Sequence, residues 1–313
     1  MQSTTLGANG PEVGVIGLGC MGMTYAYDLD TPRDEDQMIG LIRQAVDAGA
    51  TLVDTADAYG PYTNEQLVGQ ALNAEYRSKA VLATKVGIVG KDEGRNIGPI
   101  WVNASPEHIR DSIDGSLKRL NTDHVDLYQL HRVDPAVPLE ESWGAMASVV
   151  TSGKASRIGL SHVTLDEIKR AQSIHPVSSV QSELSLRTRD QLAEVLPYCE
   201  ANGIAFIAYS PMGNGILTGR FASRDDLPTS DVRRLMPKFD DSGFTQAQAL
   251  VSAVRSVAER HNATPAQVAL AWVVAQGRSV VPIPGTKTPK YLAQNLAAAD
   301  LTLTPQDLTD LDV

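Results

Sequence analysis

Three consecutive apolar runs of this sequence end in or next to ionisable residues. Thr51–Asp54 closes on a carboxylate with Tyr59 just beyond, Ala80–Lys85 closes on an amine, and Val125–His131 closes on an imidazole. Brought together, these groups make a proton donor whose affinity is tuned by its neighbours. A free tyrosine titrates at about pH 10, and an adjacent ammonium lowers that value by favouring the phenolate. Asp54 is placed to pair with Lys85 and fix its position, and His131 to hydrogen-bond a carbonyl oxygen. A general acid working on a developing alkoxide needs this sort of arrangement. Each residue alone has an ordinary explanation, since a strand-end lysine is commonly solvated and a loop tyrosine commonly packs its ring. Their joint placement on three successive strands singles them out.

The elements that must position them recur from end to end of the 313 residues. Eight short apolar runs read as strands: Val13–Gly19, Thr51–Asp54, Ala80–Lys85, Val125–His131, Arg157–Ser161, Ser179–Glu183, Ile204–Ser210 and Val280–Pro284. Between them lie helical stripes such as Met38, Leu41, Ile42, Ala45, Val46 and Ile109, Ile113, Leu117, Leu120, spaced to bury one face. Thr164 to Glu167 and Thr264 to Gln267 fit capping boxes. The runs are apolar rather than alternating, as strands covered on both faces are. The pattern predicts an α/β fold, a (β/α)8 TIM barrel spanning 1–313 as one domain, with Gly7–Pro11 turning a short N-terminal hairpin. In such a barrel, chemistry gathers at the C-terminal ends of the strands. Arg220–Gly243, rich in Asp, Arg, Pro and Ser, reads as a long loop, and loops of that length in compact domains are usually functional or disordered.

Composition narrows the partners. Lys and Arg number 27 against 37 Asp and Glu, a net charge of −10. Such a surface repels nucleic-acid phosphates and anionic lipid, so neither is expected as a partner, while a small anion in a local basic pocket is not excluded. No apolar run approaches the length of a membrane span, and Met1–Pro11 is too polar for a signal peptide. With two cysteines, Cys20 and Cys199, in no CxxC pair, a cytoplasmic protein is expected. Nothing in the sequence sets its oligomeric state. Gly17-Leu18-Gly19-Cys20-Met21-Gly22 matches GxGxxG, but the dinucleotide fingerprint needs a helix opening at the third glycine. Met23–Pro32 has no helical stripe and ends in proline. The glycines are expected to make a tight loop instead, with Cys20 a small buried residue. No close histidine pair, GxSxG elbow or P-loop occurs, and no metal is expected.

The segments Val53-Asp54-Thr55-Ala56-Asp57-Ala58-Tyr59-Gly60, Ala83-Thr84-Lys85 and Leu130-His131 resemble the aldo-keto reductases. So do Gly159-Leu160-Ser161-His162, Val180-Gln181-Ser182-Glu183, Tyr209-Ser210-Pro211-Met212-Gly213 and Ile283-Pro284-Gly285-Thr286-Lys287, followed by Asn295. The resemblance covers nearly the whole chain. Asp225-Asp226-Leu227-Pro228, Arg233-Arg234 and Pro237-Lys238-Phe239 look most like the microbial and plant branch that includes pyridoxal reductase-like enzymes. It implies an NADPH-dependent oxidoreductase that reduces an aldehyde or ketone, of the alcohol dehydrogenase (NADP+) type. By that analogy Tyr59 is the general acid, Lys85 lowers its pKa, Asp54 supports Lys85, and His131 orients the small-molecule carbonyl. Ser161, His162 and Gln181 match the positions that hold the carboxamide, and Tyr209 the ring that stacks on the nicotinamide. Ser210, Pro211, Met212 and Gly213, with Leu217, Gly219 and Arg220, match the pyrophosphate loop. Gly285, Thr286, Lys287, Gln294 and Asn295 match the adenosine end, and Gly22 and Met23 lie near the nicotinamide.

His162 stands where many relatives carry Asn, which puts one carboxamide hydrogen bond in doubt. Substrate selection is expected to fall on loops such as 96–103, with Trp101, and on the segment after His131. Lys287, with Lys290 nearly a turn later, opens the last βα unit of an acidic chain. A 2′-phosphate there would gain from the helix dipole, free backbone N–H groups and the ammonium, which favours NADPH over NADH; the ordinary alternative is a pair of solvated lysines. Two other readings stay open: a Schiff base on Lys85, as in class I aldolases, and a cofactor-sensing subunit without turnover.

Overall fold

The structure is a computed structural model that describes residues 1–89 and 101–313. A hairpin of β1 (Ser3–Thr5) and β2 (Glu12–Gly14) comes first. The remaining strands are β3 (Leu18–Gly19), β4 (Leu52–Asp54), β5 (Val81–Val86), β6 (Ile88–Val89), β7 (Trp101–Val102), β8 (Val125–Leu130), β9 (Ala155–Ser161), β10 (Ser179–Glu183), β11 (Ala205–Tyr209) and β12 (Val280–Pro282). The helices are α1 (Glu35–Asp47), α2 (Thr63–Ala71), α3 (Ala74–Arg77), α4 (Pro106–Leu120), α5 (Leu139–Thr151), α6 (Leu165–Gln172), α7 (Val195–Ala201), α8 (Asp241–Arg260), α9 (Pro265–Val274), α10 (Pro289–Ala297) and α11 (Pro305–Asp310). Both expected capping boxes are present, at the starts of α6 and α9. No helix among the described residues is long and apolar enough to cross a membrane.

Eight strands form one parallel sheet in the order β12-β11-β10-β9-β8-β5-β4-β3. Its two edges meet. Gly17 N donates to Pro282 O at 2.9 Å and Gly19 N to Pro284 O at 3.3 Å, which curls the sheet into the (β/α)8 barrel. This meeting explains the glycines of the GxGxxG stretch. A Cβ on Gly19 would sit 2.6 Å from Ile283 O, and one on Gly285 would sit 2.9 Å from Gly19 O. They allow two backbones to touch; the helix that a pyrophosphate site needs does not follow, since only a single 3₁₀ turn spans Met21–Met23.

One expected strand is corrected. The run 13–19 is two elements: Glu12–Gly14 pairs with β1 as the second strand of the N-terminal hairpin, and only Leu18–Gly19 enters the barrel. The hairpin closes the barrel floor, where Leu6 and Val13 pack with Leu52, Val81, Ala83, Leu127, Ala205, Ile207, Val281 and Ile283. Alternate residues of the same strands face the helices instead, among them Val53, Leu82, Val86, Tyr128, Leu130 and Phe206, as the period of two dictates. Following the inward positions upward, Ala83 gives way to Lys85, Leu127 to Gln129 and Leu52 to Asp54. The lumen is apolar at its floor and polar toward the C-terminal ends.

The long loop is ordered by specific contacts. Three short 3₁₀ turns occupy Arg224–Asp226, Val232–Leu235 and Pro237–Phe239. Arg233 forks onto the buried Asp231 at 2.6 and 2.8 Å and lies over the rings of Phe221 and Tyr27. Val232 N donates to Ala26 O at 3.0 Å and Leu29 N to Ser230 Oγ at 3.0 Å. These contacts tie the loop after β11 to the loop after β3 across the mouth of the barrel.

Candidate active site

Lys85 is fully buried, and each hydrogen of its ammonium has an acceptor. Nζ donates to Asp54 Oδ1 at 2.5 Å, Thr55 O at 2.9 Å and Tyr59 Oη at 3.2 Å. The other Asp54 oxygen accepts from Gln181 Nε2 at 2.8 Å and Gln129 Nε2 at 3.3 Å. Burying either charge alone would cost several kcal/mol; together, and fully hydrogen-bonded, they form a stable platform. The chain then loops back over it. Thr55 N donates to Ala83 O at 2.9 Å, Asp57 N to Lys85 O at 3.3 Å and Tyr59 N to Ala56 O at 3.2 Å. Asn64, at the start of α2, pins this turn through Thr55 Oγ1 at 2.7 Å and Cys20 O at 2.9 Å. The four residues singled out at the strand ends therefore meet in one place.

Burial pushes the Tyr59 hydroxyl above its ordinary value; the Lys85 charge pulls it down, in the expected direction, but burial outweighs it, and Asp54 adds to the rise. Tyr59 is thus a protonated donor at neutral pH rather than a phenolate. Because Lys85 donates to Tyr59, the hydroxyl hydrogen stays available for another acceptor. Burial opposes the Lys85 charge, yet Asp54 and Tyr59 more than offset it, so Lys85 holds its proton tightly. His131 is held neutral, well below its usual range, by burial and by the charges of Lys85 and Arg132. Its ring stands edge-on to Tyr59 with centroids 5.7 Å apart, and Nδ1 is buried without a partner among the described residues. Tyr25 stacks beside Tyr59 at 6.4 Å. Burial pushes the Cys20 thiol far up, which makes it a packing residue.

The other expected residues rim the same end of the barrel. Ser161 is buried at the end of β9, and His162 follows in the left-handed region at φ +56°. That conformation suits Asn and His better than most side chains, a backbone reason for either at this position. His162 Nδ1 lies 3.5 Å from Tyr209 Oη. The Gln181 amide nitrogen is engaged by Asp54. Ser210, also left-handed, opens a tight turn closed by Gly213 N to Ser210 O at 2.9 Å. Pro211, Gly213 and Leu217 are buried and Met212 is partly so; Gly219 follows, left-handed, with Arg220 exposed beside it. Gly285 is exposed, with Thr286 and Lys287 half-buried before α10, where Gln294 is half-buried and Asn295 buried. Lys287 is no solvated surface lysine: Nζ donates to Tyr27 O at 2.9 Å and Asp28 O at 3.3 Å, and burial lowers its proton affinity. Gly22 is half-buried, whereas Met23 is packed into the core. Trp101 is exposed in β7; of the expected selection loop 96–103, residues 96–100 lie outside the described residues.

Several functional candidates escaped the sequence reading. Gln129 sits two residues before His131, on the same inward face of β8, and that spacing was a usable signal. Asn64, Tyr25 and Arg132 carried none beyond proximity, since their partners come from distant elements.

The family model described as the aldo/keto reductase family matches residues 15–313. The chain belongs to the aldo/keto reductase family, and hence to the oxidoreductases. It is 41% identical over 311 residues to a probable aldo-keto reductase 1 from Glycine max, covering 99% of this chain and 88% of the relative. The solved structure of a glycerol dehydrogenase from Gluconobacter oxydans matches it with a TM-score of 0.88 at 28% identity, over 99% of this chain and 94% of that one. An aldo-keto reductase from Klebsiella pneumoniae, solved in complex with NADPH, matches with a TM-score of 0.76 at 27% identity, over 100% of this chain and 94% of that one.

Proposed function

We propose that this protein reduces the carbonyl of an aldehyde or ketone to an alcohol with NADPH, with Tyr59 as the proton donor. The observation that carries this reading is the Lys85–Tyr59 contact: a hydroxyl that accepts from a buried ammonium keeps its own hydrogen for a substrate oxygen. Neutral His131 beside it offers an imidazole to hold that oxygen. When bound, NADPH supplies the hydride that adds to the carbonyl carbon. As that carbon is reduced, charge grows on the oxygen, and the Tyr59 proton moves to it. The phenolate left behind is stabilised by the Lys85 ammonium 3.2 Å away, an interaction stronger at that stage than before it. Solvent then returns the proton to Tyr59.

The residues fit such a cofactor. The first N–H groups of α10 have no side-chain cap, and a helix N-terminus of this kind favours a phosphate. The half-buried Lys287 ammonium stands next to it, held among the described residues by the backbone carbonyls of Tyr27 and Asp28, which a phosphate would displace. Lys287 would take the 2′-phosphate, the turn from Ser210 to Gly213 would cover the pyrophosphate, and Tyr209 would flank the nicotinamide near Ser161 and His162. The aldolase alternative loses support, because a Schiff base needs a free amine and Asp54 keeps Lys85 charged.

A panel of nitrobenzaldehydes, small dicarbonyls, ketones and keto-sugars, followed by NADPH oxidation, tests the proposal. Turnover with at least the reactive aldehydes is expected. NADPH binding without turnover on any carbonyl would favour the cofactor-sensing alternative.

A further inference from the structure

His131 ends an inward-facing row, and Arg132 follows it at the rim of the site. The Arg132 side chain is half-buried. Its Nη1 donates to His131 O at 2.7 Å, which uses one of the five N–H donors of a guanidinium. The rest find no carboxylate: among the described residues none lies within ion-pair distance of Arg132. Some arginines of the chain meet a carboxylate, such as Arg119 and Arg233, and others, such as Arg43 and Arg187, spend their donors on backbone carbonyls of distant segments; Arg132 is set apart by its place beside His131. The acids close in sequence or space are committed elsewhere. Asp134 accepts from Ala104 N and Ala136 N, and Glu183 accepts from Lys238 and Thr188. The Arg132 charge acts on four groups that surround the reaction point, namely Tyr59, His131, His162 and Tyr209, and the Tyr209 hydroxyl is also within hydrogen-bonding reach of the guanidinium. A half-buried cation at such a position, without a counter-ion, is a site for an anion, and its planar fork suits carboxylate and phosphate.

We propose that Arg132 binds an anionic group on the substrate, so that the preferred substrates are aldehydes or ketones carrying a carboxylate or a phosphate. This rests on the carbonyl-reductase reading and adds to it a substrate class. The acidic surface of the protein does not oppose it, because a local guanidinium at a low-dielectric rim acts at short range, whereas the net charge is screened beyond about 8–10 Å at ordinary ionic strength.

The test compares matched substrates in the wild type, Arg132→Met and Arg132→Lys. The carboxylate pair is 4-carboxybenzaldehyde against 4-methylbenzaldehyde; the phosphate pair is glyceraldehyde 3-phosphate against glyceraldehyde. In Arg132→Met the charged-to-neutral ratio of kcat/KM is expected to fall about tenfold or more in at least one pair, chiefly through KM. Arg132→Lys should recover part of it. The pair that responds identifies the anion. An unmoved ratio in both pairs overturns the proposal, and so does an equal loss in NADPH affinity, which would assign Arg132 to the cofactor. Should Arg132→Met not fold, benzoate and inorganic phosphate are tested on the wild type against 4-methylbenzaldehyde. Competition by either supports the site, and competition by neither overturns it. Absence of turnover with every carbonyl would instead remove the reading on which the proposal stands, a different and recognisable failure.

Discussion

Thr84 and Lys85 are neighbours in β5 and point to opposite faces of the barrel wall, and each anchors a buried ionic cluster. On the outer face, Thr84 Oγ1 donates to Glu65 Oε1 at 2.6 Å, and Glu65 Oε2 accepts from Arg119 Nε at 2.7 Å. That cluster joins α2 to α4 and the strand beneath, and the Arg119 guanidinium covers the Tyr62 ring at 4.5 Å. On the inner face, Lys85 and Asp54 are as thoroughly paired. The difference lies in what remains unspent. Both Glu65 oxygens are used to hold helices, whereas among the described residues the inner cluster leaves the Tyr59 hydroxyl hydrogen and a His131 ring nitrogen free. Two ion pairs of similar burial and distance thus serve different ends, and the pairing alone does not tell which is catalytic.

That contrast can be broken at either end. Lys85→Met removes the charge that stabilises the tyrosine phenolate, and kcat/KM for a reactive aldehyde should fall by about 10²-fold or more. A rate that survives with only a shifted pH optimum would demote Lys85. Glu65→Ala attacks the outer cluster and leaves Arg119 and Thr84 without their acceptor. Denaturant melts should show a loss of about 3 kcal/mol, while kcat of the folded protein stays near the wild-type value. A large fall in kcat at unchanged stability would erase the distinction between the two faces.

A smaller effect separates the clusters by pH. His131 is neutral in the fold with its proton affinity depressed, so the unfolded chain binds the proton more readily. Its contribution is therefore fully present above about pH 6.5 and is lost as pH falls below that, by up to about 1.4 kcal/mol per pH unit. The decline in Tm from neutral to mildly acidic pH should be shallower in His131→Asn, and identical slopes would mean that His131 already titrates normally. Smallest is the cofactor end. Lys287→Ala should weaken NADPH binding about tenfold, the value of one charge-assisted contact, with the gap to NADH closing and salt narrowing it further. Equal affinities would take Lys287 out of the site.

How much of this could be read from the residues follows from what each signal records. Asp54, Lys85 and His131 were legible because strand ends in a barrel converge, and an apolar run that stops at an ionisable residue is visible in the sequence. The stretch from Val13 to Gly19 misled because hydrophobicity reports burial and not the hydrogen-bond partner; Val13 is buried under the floor and Leu18 in the wall. The downward pull of Lys85 on Tyr59 was legible, but the larger upward push of burial was not, since the sequence shows a nearby lysine but not the depth at which the hydroxyl sits. Arg132 illustrates the same limit. A cation after His131 is plain in the sequence, but whether a carboxylate meets it is settled by elements far along the chain.

Tyr59→Phe tests the central claim most directly, because it deletes one hydroxyl and keeps the ring against His131 and Tyr25. Single-turnover NADPH oxidation with a reactive aldehyde should slow by about 10²–10⁴-fold, while the NADPH Kd, read by fluorescence, stays within about twofold of wild type. Full turnover in that variant would contradict the account and leave Tyr59 a packing residue.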